Sequence, residues 1–107
     1  MDPIEEVVND LSKECFEDYV GLWTVPWHFR NVHHIADEDL RREDSLKVIE
    51  RLLALPDIGV GQFRPNEEVF EFWELSPSNA LKRIADEWSA LGHEPNIGDI
   101  AWFTSKT

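Results

Sequence analysis

The chain opens with an amphipathic pattern that predicts a helix from Pro3 to about Val20. Asp2 and Pro3 are typical of a helix start, as cap and first-turn residues, and Gly21 is typical of a stop. Apolar side chains recur every three or four positions, so one face of the helix would turn toward a core. These inward positions are Ile4, Val7, Val8, Leu11, Cys15, Tyr19 and Leu22.

The stretch "LWTVPWHFRNVHH" then predicts a short extended piece followed by a short helix. Val25 precedes a proline, which disfavours helical backbone angles, so residues 22–25 are expected to be extended. Pro26 suits a first helical position, and the helix is predicted to run to about His34. We expect Trp27 and Val32 to pack inward, with the histidines and Arg30 at the surface or at its edge.

A third helix is predicted over Asp37–Leu55, ending before Pro56. Asp37 is its expected N-cap, and the acidic residues Glu38 and Asp39 suit the positive end of the helix dipole. Its predicted inward side chains are Leu40, Leu46, Ile49, Leu52 and Leu53.

The pattern changes to β-type after Pro56. "IGVGQF" and "VFEFWEL" are rich in Val and Phe and are joined by "RPNEE", which predicts a hairpin. Alternation leaves two possibilities for the second strand, with either Phe70 and Phe72 or Glu71 and Trp73 exposed. Ser76 and Pro77 then start a helix that Gly92 ends, and "IGDIAWF" is predicted to be a final strand that joins the sheet.

The elements predict an α+β fold with three N-terminal helices, a hairpin, a further helix and a short C-terminal strand in a small antiparallel sheet. This order resembles the winged-helix arrangement, with residues 37–55 at the place of the recognition helix and residues 58–75 at that of the wing. A DNA-reading member would carry basic residues at both places. Here the wing tip is "RPNEE", so the resemblance implies a winged helix that contacts proteins.

Length and composition predict one domain over residues 1–107 with its own core, because 42% of the residues are hydrophobic. The acidic N-terminus does not resemble a signal peptide and no apolar run is long enough for a membrane span, so we expect a cytoplasmic protein. Cys15 has no second cysteine to pair with, and its helical spacing from Leu11 and Tyr19 predicts a structural, buried thiol.

Net charge constrains the expected function more than any other global property of the chain. The chain has 22 acidic and 10 basic residues and a formal net charge of -12, so its field repels phosphate and argues against direct nucleic-acid binding. An acidic surface serves solubility, and it also suits a basic protein partner. The candidate protein-binding residues are the acids of the third helix and an aromatic residue of the hairpin: Asp37, Glu38, Asp39, Glu43, Asp44 and Trp73.

His28, His33 and His34 are candidate ligands of a metal site. Histidine pairs that share a helix face are three or four residues apart, whereas these are five, six and one apart, so no metal or other cofactor is expected. The serines lie in no nucleophile-elbow pattern, and "GVGQF" precedes no helix as a phosphate loop would. The sequence therefore predicts a protein that is not an enzyme.

The C-terminal pattern "EWSALGHEPNIGDIAWF" resembles the ending of small, uncharacterised bacterial proteins, which implies a bacterial origin and no defined activity. We expect a non-catalytic protein-binding domain, such as an immunity or inhibitor protein that neutralises a basic partner. The alternative is a winged-helix-like regulator or adaptor that acts through protein contacts or as a homodimer. A metal protein or enzyme centred on the histidines is a third hypothesis.

Overall fold

The computed structural model describes residues 2–106 and has an α+β fold of four helices and one four-stranded antiparallel sheet. The helices are α1 (Pro3–Cys15), α2 (Thr24–Asn31), α3 (Glu38–Ala54) and α4 (Pro77–Leu91). The strands are β1 (Val20–Gly21), β2 (Ile58–Phe63), β3 (Phe70–Phe72) and β4 (Trp102–Ser105), arranged in the order β1-β4-β2-β3.

The predicted starts of α1, α3 and α4 are confirmed, because they depend on local chemistry. Asp2 accepts a hydrogen bond from the backbone N–H of Ile4, and Asp37 accepts from those of Asp39 and Leu40. Ser76 accepts from the backbone N–H of Asn79 at the start of α4. Gly92 ends α4 in the left-handed conformation, with a φ of 73°. Each of the three N-caps satisfies backbone N–H groups that a helix leaves unpaired at its start.

The first helix ends at Cys15, and the prediction that it continues to Val20 is wrong. Residues 16–18 form a turn, and Thr104 of β4 donates to the carbonyl oxygens of Cys15 and Asp18. Val20 is then free to pair with Phe103 of β4. Pairing across 83 positions of sequence (103 − 20) thus overrides the helical pattern.

The prediction for the next stretch is also wrong in detail, since α2 begins at Thr24 and residues 22–25 are not a strand. Pro26 occupies the third helical position, where its missing N–H would have no partner within the helix. The helix ends at Asn31 and not His34, because His34 adopts a left-handed φ of 57°. Trp27 and Val32, predicted to pack inward, are both exposed.

The third helix has its predicted cap, and its buried side is rotated relative to the prediction. Ile49, Leu52 and Leu53 are buried as expected, whereas Leu40 is exposed. Arg41 is buried in its place, and its Nη1 donates to the carbonyl oxygens of Ile35 and Ala36 at 2.9 and 2.8 Å. The loop before α3 is therefore held by a buried guanidinium.

The hairpin of β2 and β3 forms as predicted, with Gln62 paired to Glu71. The last strand is displaced toward the C-terminus relative to the predicted segment "IGDIAWF". Residues 96–99 form a turn in which the backbone N–H of Asn96 donates to the Asp99 carboxylate at 2.8 Å. Gly98 takes a φ of 85° there, so only the end of the predicted segment enters the sheet.

The four helices and one face of the sheet enclose the core. Val20, Ile58, Val60 and Phe103 are buried on the inner face of the sheet. Helical side chains close the core from the other side, and the largest contributions are Val7, Leu11, Phe29, Val48, Ile49, Leu52, Ile84 and Trp88. Among residues 2–106, none of the helices has the length and apolar character needed to cross a membrane.

Candidate functional site

The outer face of the sheet carries five aromatic rings in mutual contact, and we call this cluster the aromatic face: Tyr19, Phe63, Phe70, Phe72 and Trp102. The ring centre of Tyr19 lies 5.0 Å from that of Phe63 and 4.9 Å from that of Phe70. Tyr19 and Phe72 each remain 43% exposed. Exposed aromatic patches of this kind are typical of surfaces that bind other proteins.

Glycines beneath the rings leave room for them. Gly21, Trp102, Gly61 and Phe72 follow one another across neighbouring strands, so glycine and aromatic positions alternate along that row. An added Cβ at Gly59 would lie 2.7 Å from the Phe72 ring, which shows that the ring lies over this glycine. The sequence "GVG" therefore places the missing side chains on the outer face and the bulky Val60 in the core.

A groove of about 560 Å³ runs along the edge of the aromatic face, between residues 16–19 and β3. Its apolar lining includes Tyr19, Phe70 and Phe72 together with the strongly exposed Phe16 and Val69. Three carboxylates also line it, from Glu17, Asp18 and Glu68, and no basic residue among the described lining accompanies them. The groove thus combines aromatic surface with an acidic rim, which favours cationic ligands.

The hairpin matches neither of the two possibilities that alternation left open in full, because Phe70 is half-buried and Glu71 is exposed. Phe72 is exposed on the outer face, and Trp73 turns to the other side, where it is half-buried against the core. The Arg83 guanidinium lies 3.9 Å from the centre of the Trp73 ring. Trp73, predicted as an interface residue, is consequently in a packing position beneath α4, and Phe72 has the exposure that an interface residue needs.

The five predicted acids of α3 do not form one patch. Four of them, Asp37, Glu38, Asp39 and Glu43, are exposed, and Asp39 and Glu43 point away from the buried side of the helix. Asp44 is half-buried, the Asp37 carboxylate is used as the N-cap, and Glu43 forms an ion pair with Lys47 at 3.6 Å. Glu38 and Asp39 line a separate depression of about 220 Å³ with Arg42, Ser89 and His93. Their charges therefore contribute a diffuse negative field.

A buried ion-pair cluster holds the loop that follows α4. Glu94 accepts from Arg41 Nε at 2.8 Å and also contacts Arg30 of α2. The side chains of Arg41 and Glu94 are only 10% and 13% exposed, so these charges are shielded from water. The cluster fixes the loop between α4 and β4, which delivers Trp102 to the aromatic face.

The three clustered histidines have different surroundings. His28 Nδ1 donates to the carbonyl oxygen of Thr24 at 2.7 Å, His33 lies 3.5 Å from Glu6, and His34 is exposed. Within the described part of the chain, no three His, Cys, Asp or Glu side chains are arranged to hold a metal ion.

Sequence reasoning missed Tyr19, which it assigned to the buried side of the first helix, and it missed Phe16, Phe63 and the role of Glu94. The signal that points to the aromatic face is the alternation of Gly59, Val60 and Gly61 in a strand. Two glycines on the same side leave that side open for rings from neighbouring strands.

No protein-family model, curated protein or solved structure matches the chain. The function of the chain is therefore inferred from the residues of the site alone.

Proposed function

We propose that this protein is a small, acidic, non-catalytic binding domain whose aromatic face and groove bind a basic protein partner. The observation that carries the proposal is the groove, where exposed aromatic rings lie beside Glu17, Asp18 and Glu68 without a neighbouring basic residue in the described lining. Lysine and arginine side chains gain both ion pairing and cation–π contact in such surroundings.

The overall charge of -12 supports the same partner class. Opposite charge accelerates encounter and disfavours acidic competitors, and nucleic acid would be repelled. Exposed acids of α3, among them Glu38, Asp39 and Glu43, act in this proposal at long range as steering charges. An inhibitor or immunity-type protein that covers a basic surface of a toxin or nuclease, in a bacterial cytoplasm, is the most concrete form of the proposal.

A winged-helix-like adaptor is the second candidate. It is favoured by the hairpin at residues 58–72, which occupies the place of a wing after three helices and is exposed at its tip, over residues 63–69. In this form the hairpin contacts proteins, either a partner or a second copy of the chain. Residues 64–75 carry one basic and four acidic residues, a net charge of -3, which opposes close contact between two copies of the hairpin.

Affinity capture from the native host with matched variants tests the proposal. Val69→Ser removes an exposed side chain in the groove, and Val32→Ser is the control, because Val32 is similarly exposed at the end of α2. We expect the wild type and Val32→Ser to retain a basic protein that dissociates as salt is raised, and Val69→Ser and Phe16→Ser to lose it. Equal capture by all four proteins, or capture of an acidic partner, contradicts the proposal.

A further inference from the structure

The edge of the sheet at β3 has unpaired backbone groups. β3 is the last strand in the order β1-β4-β2-β3, so it has a strand neighbour on one side. The Arg64 N–H donates to the Val69 carbonyl, and the Trp73 N–H donates to the Val60 carbonyl, both at 2.9 Å. These bonds direct the backbone groups of Val69, Glu71 and Trp73 toward β2.

Antiparallel pairing directs alternate residues in opposite directions along the hydrogen-bonding axis, so the N–H and C=O groups of Phe70 and Phe72 point away from β2. The same two residues carry rings that border the groove, with Phe72 exposed and Phe70 half-buried. Backbone donors and acceptors at an open edge thus lie beside an aromatic surface. This combination is the one that domains use when they bind an extended peptide as an additional strand.

Charge selects among possible occupants of this edge. Glu71, central in β3, lies on the face opposite Phe70 and Phe72 and forms an ion pair with Arg64, which Glu67 also contacts. These two carboxylates and one guanidinium leave one negative charge there, and Glu68 and Glu74 add further negative charge on either side of the strand. If two copies paired antiparallel about Glu71, like charges would be directly opposite each other, which is destabilising. Acidic side chains at an edge are also a known protection against self-pairing. The acidic side chains therefore disfavour pairing of β3 with a second copy and favour its pairing with a basic segment.

We propose that an extended segment of a basic partner protein binds at the β3 edge as a fifth strand of the sheet. Its backbone pairs with the N–H and C=O groups of Phe70 and Phe72. Apolar side chains of the segment lie beside the aromatic face, and the alternating basic side chains lie on the opposite face, where Glu67 and Glu71 share Arg64 and keep a net negative charge. This inference rests on the proposed function and specifies how the partner is bound.

A short peptide that alternates valine with arginine tests the inference in a calorimetric titration of the full chain. Two derivatives carry N-methyl groups, one on the valines and one on the arginines, so each loses the N–H groups of one edge. Strand addition uses one edge of the peptide. We expect one derivative to bind at least about tenfold more weakly than the parent, from the loss of two or more hydrogen bonds, and the other to bind within about threefold.

Equal affinity of both derivatives and the parent overturns strand addition and leaves the proposed function standing, because the charge and apolar contacts are unchanged. No binding of the parent peptide at about millimolar concentration also overturns strand addition, since such affinity is the minimum expected of it. Equal binding of a peptide that alternates valine with glutamate overturns the assignment of a basic segment. The proposed function is judged separately, by the dependence of the captured partner on Val69 and Phe16.

Discussion

Phe72 lies over Gly59 on the outer face of the sheet, where a Cβ on Gly59 would be 2.7 Å from the Phe72 ring. The neighbouring Gly61 is under a tighter restriction, because a Cβ there would collide with the backbone carbonyl oxygen of Glu71. A ring can rotate away from a methyl group, whereas a paired strand can move only by breaking its hydrogen bonds. The two glycines therefore differ in what they tolerate.

We expect Gly61→Ala to lower the free energy of unfolding by about 3 kcal/mol or more, because overpacking forces β2 and β3 apart. Gly59→Ala is the matched control and should change it by about 1 kcal/mol or less, since Phe72 can move and alanine reduces the entropy of the unfolded chain. Urea denaturation of both variants measures the difference. Equal stability of the two variants would show that β3 is not fixed against β2 as described.

The buried ion-pair cluster predicts that substitutions at Glu94 and Glu87 differ in their effect on the free energy of unfolding. Glu94→Gln should lower the free energy of unfolding by about 1.5 to 3 kcal/mol, because it weakens charged hydrogen bonds to the buried Arg41. Glu87→Gln breaks a pair of equal length, 2.8 Å to Arg83, whose side chains are about 40% exposed, and should cost about 1 kcal/mol or less. A larger loss in Glu87→Gln than in Glu94→Gln would contradict the role assigned to the cluster.

Two substitutions of Asp37 separate the stabilisation by its charge from the stabilisation by its N-cap hydrogen bonds. Asp37→Asn keeps a side-chain oxygen for the N–H groups of Asp39 and Leu40, so it should cost about 0.5 kcal/mol or less from the lost dipole interaction. Asp37→Ala also loses the cap and should cost about 1 to 2 kcal/mol. Thermal unfolding of both variants measures this. If they are equally stable, the cap contributes nothing to α3.

Burial, and to a smaller extent the neighbouring Glu14 charge, raises the pKa of the Cys15 thiol from 9.0 to about 12. A raised pKa in the folded state means that the neutral thiol is favoured by folding. The associated stability is therefore complete below pH 9 and is lost as pH rises toward about 12. We expect Cys15→Ala to flatten the dependence of stability on pH in that window, measured by denaturation at several pH values. An unchanged slope would contradict the assignment.

The helix caps were predictable because Asp2, Asp37 and Ser76 bond to N–H groups two or three residues away. The helix over residues 77–91 was predicted with its bounds for the same reason. The hairpin was also predictable, since its turn residues are adjacent in sequence. Its second strand was predicted too long, at residues 69–75, because only Phe70–Phe72 are in the sheet.

The aromatic face could not be predicted in the same way. Tyr19 continues the helical spacing of Leu11 and Cys15, and only the pairing of Val20 with Phe103 of the distant β4 removes it from the helix. Arg41 likewise resembles any surface charge in sequence, and its burial depends on Glu94, 53 residues further along the chain. Both features depend on long-range contacts that periodicity does not contain.

The central claim is that the aromatic face and its groove are the binding surface. Heteronuclear NMR of the isotope-labelled protein, titrated with the peptide that alternates valine with arginine, tests it most directly. We predict that amide shifts concentrate at residues 16–19 and 69–73, that they weaken with added salt, and that Val32 and its neighbours stay unchanged. Shifts centred on the exposed acids of α3, with none at β3, would contradict it.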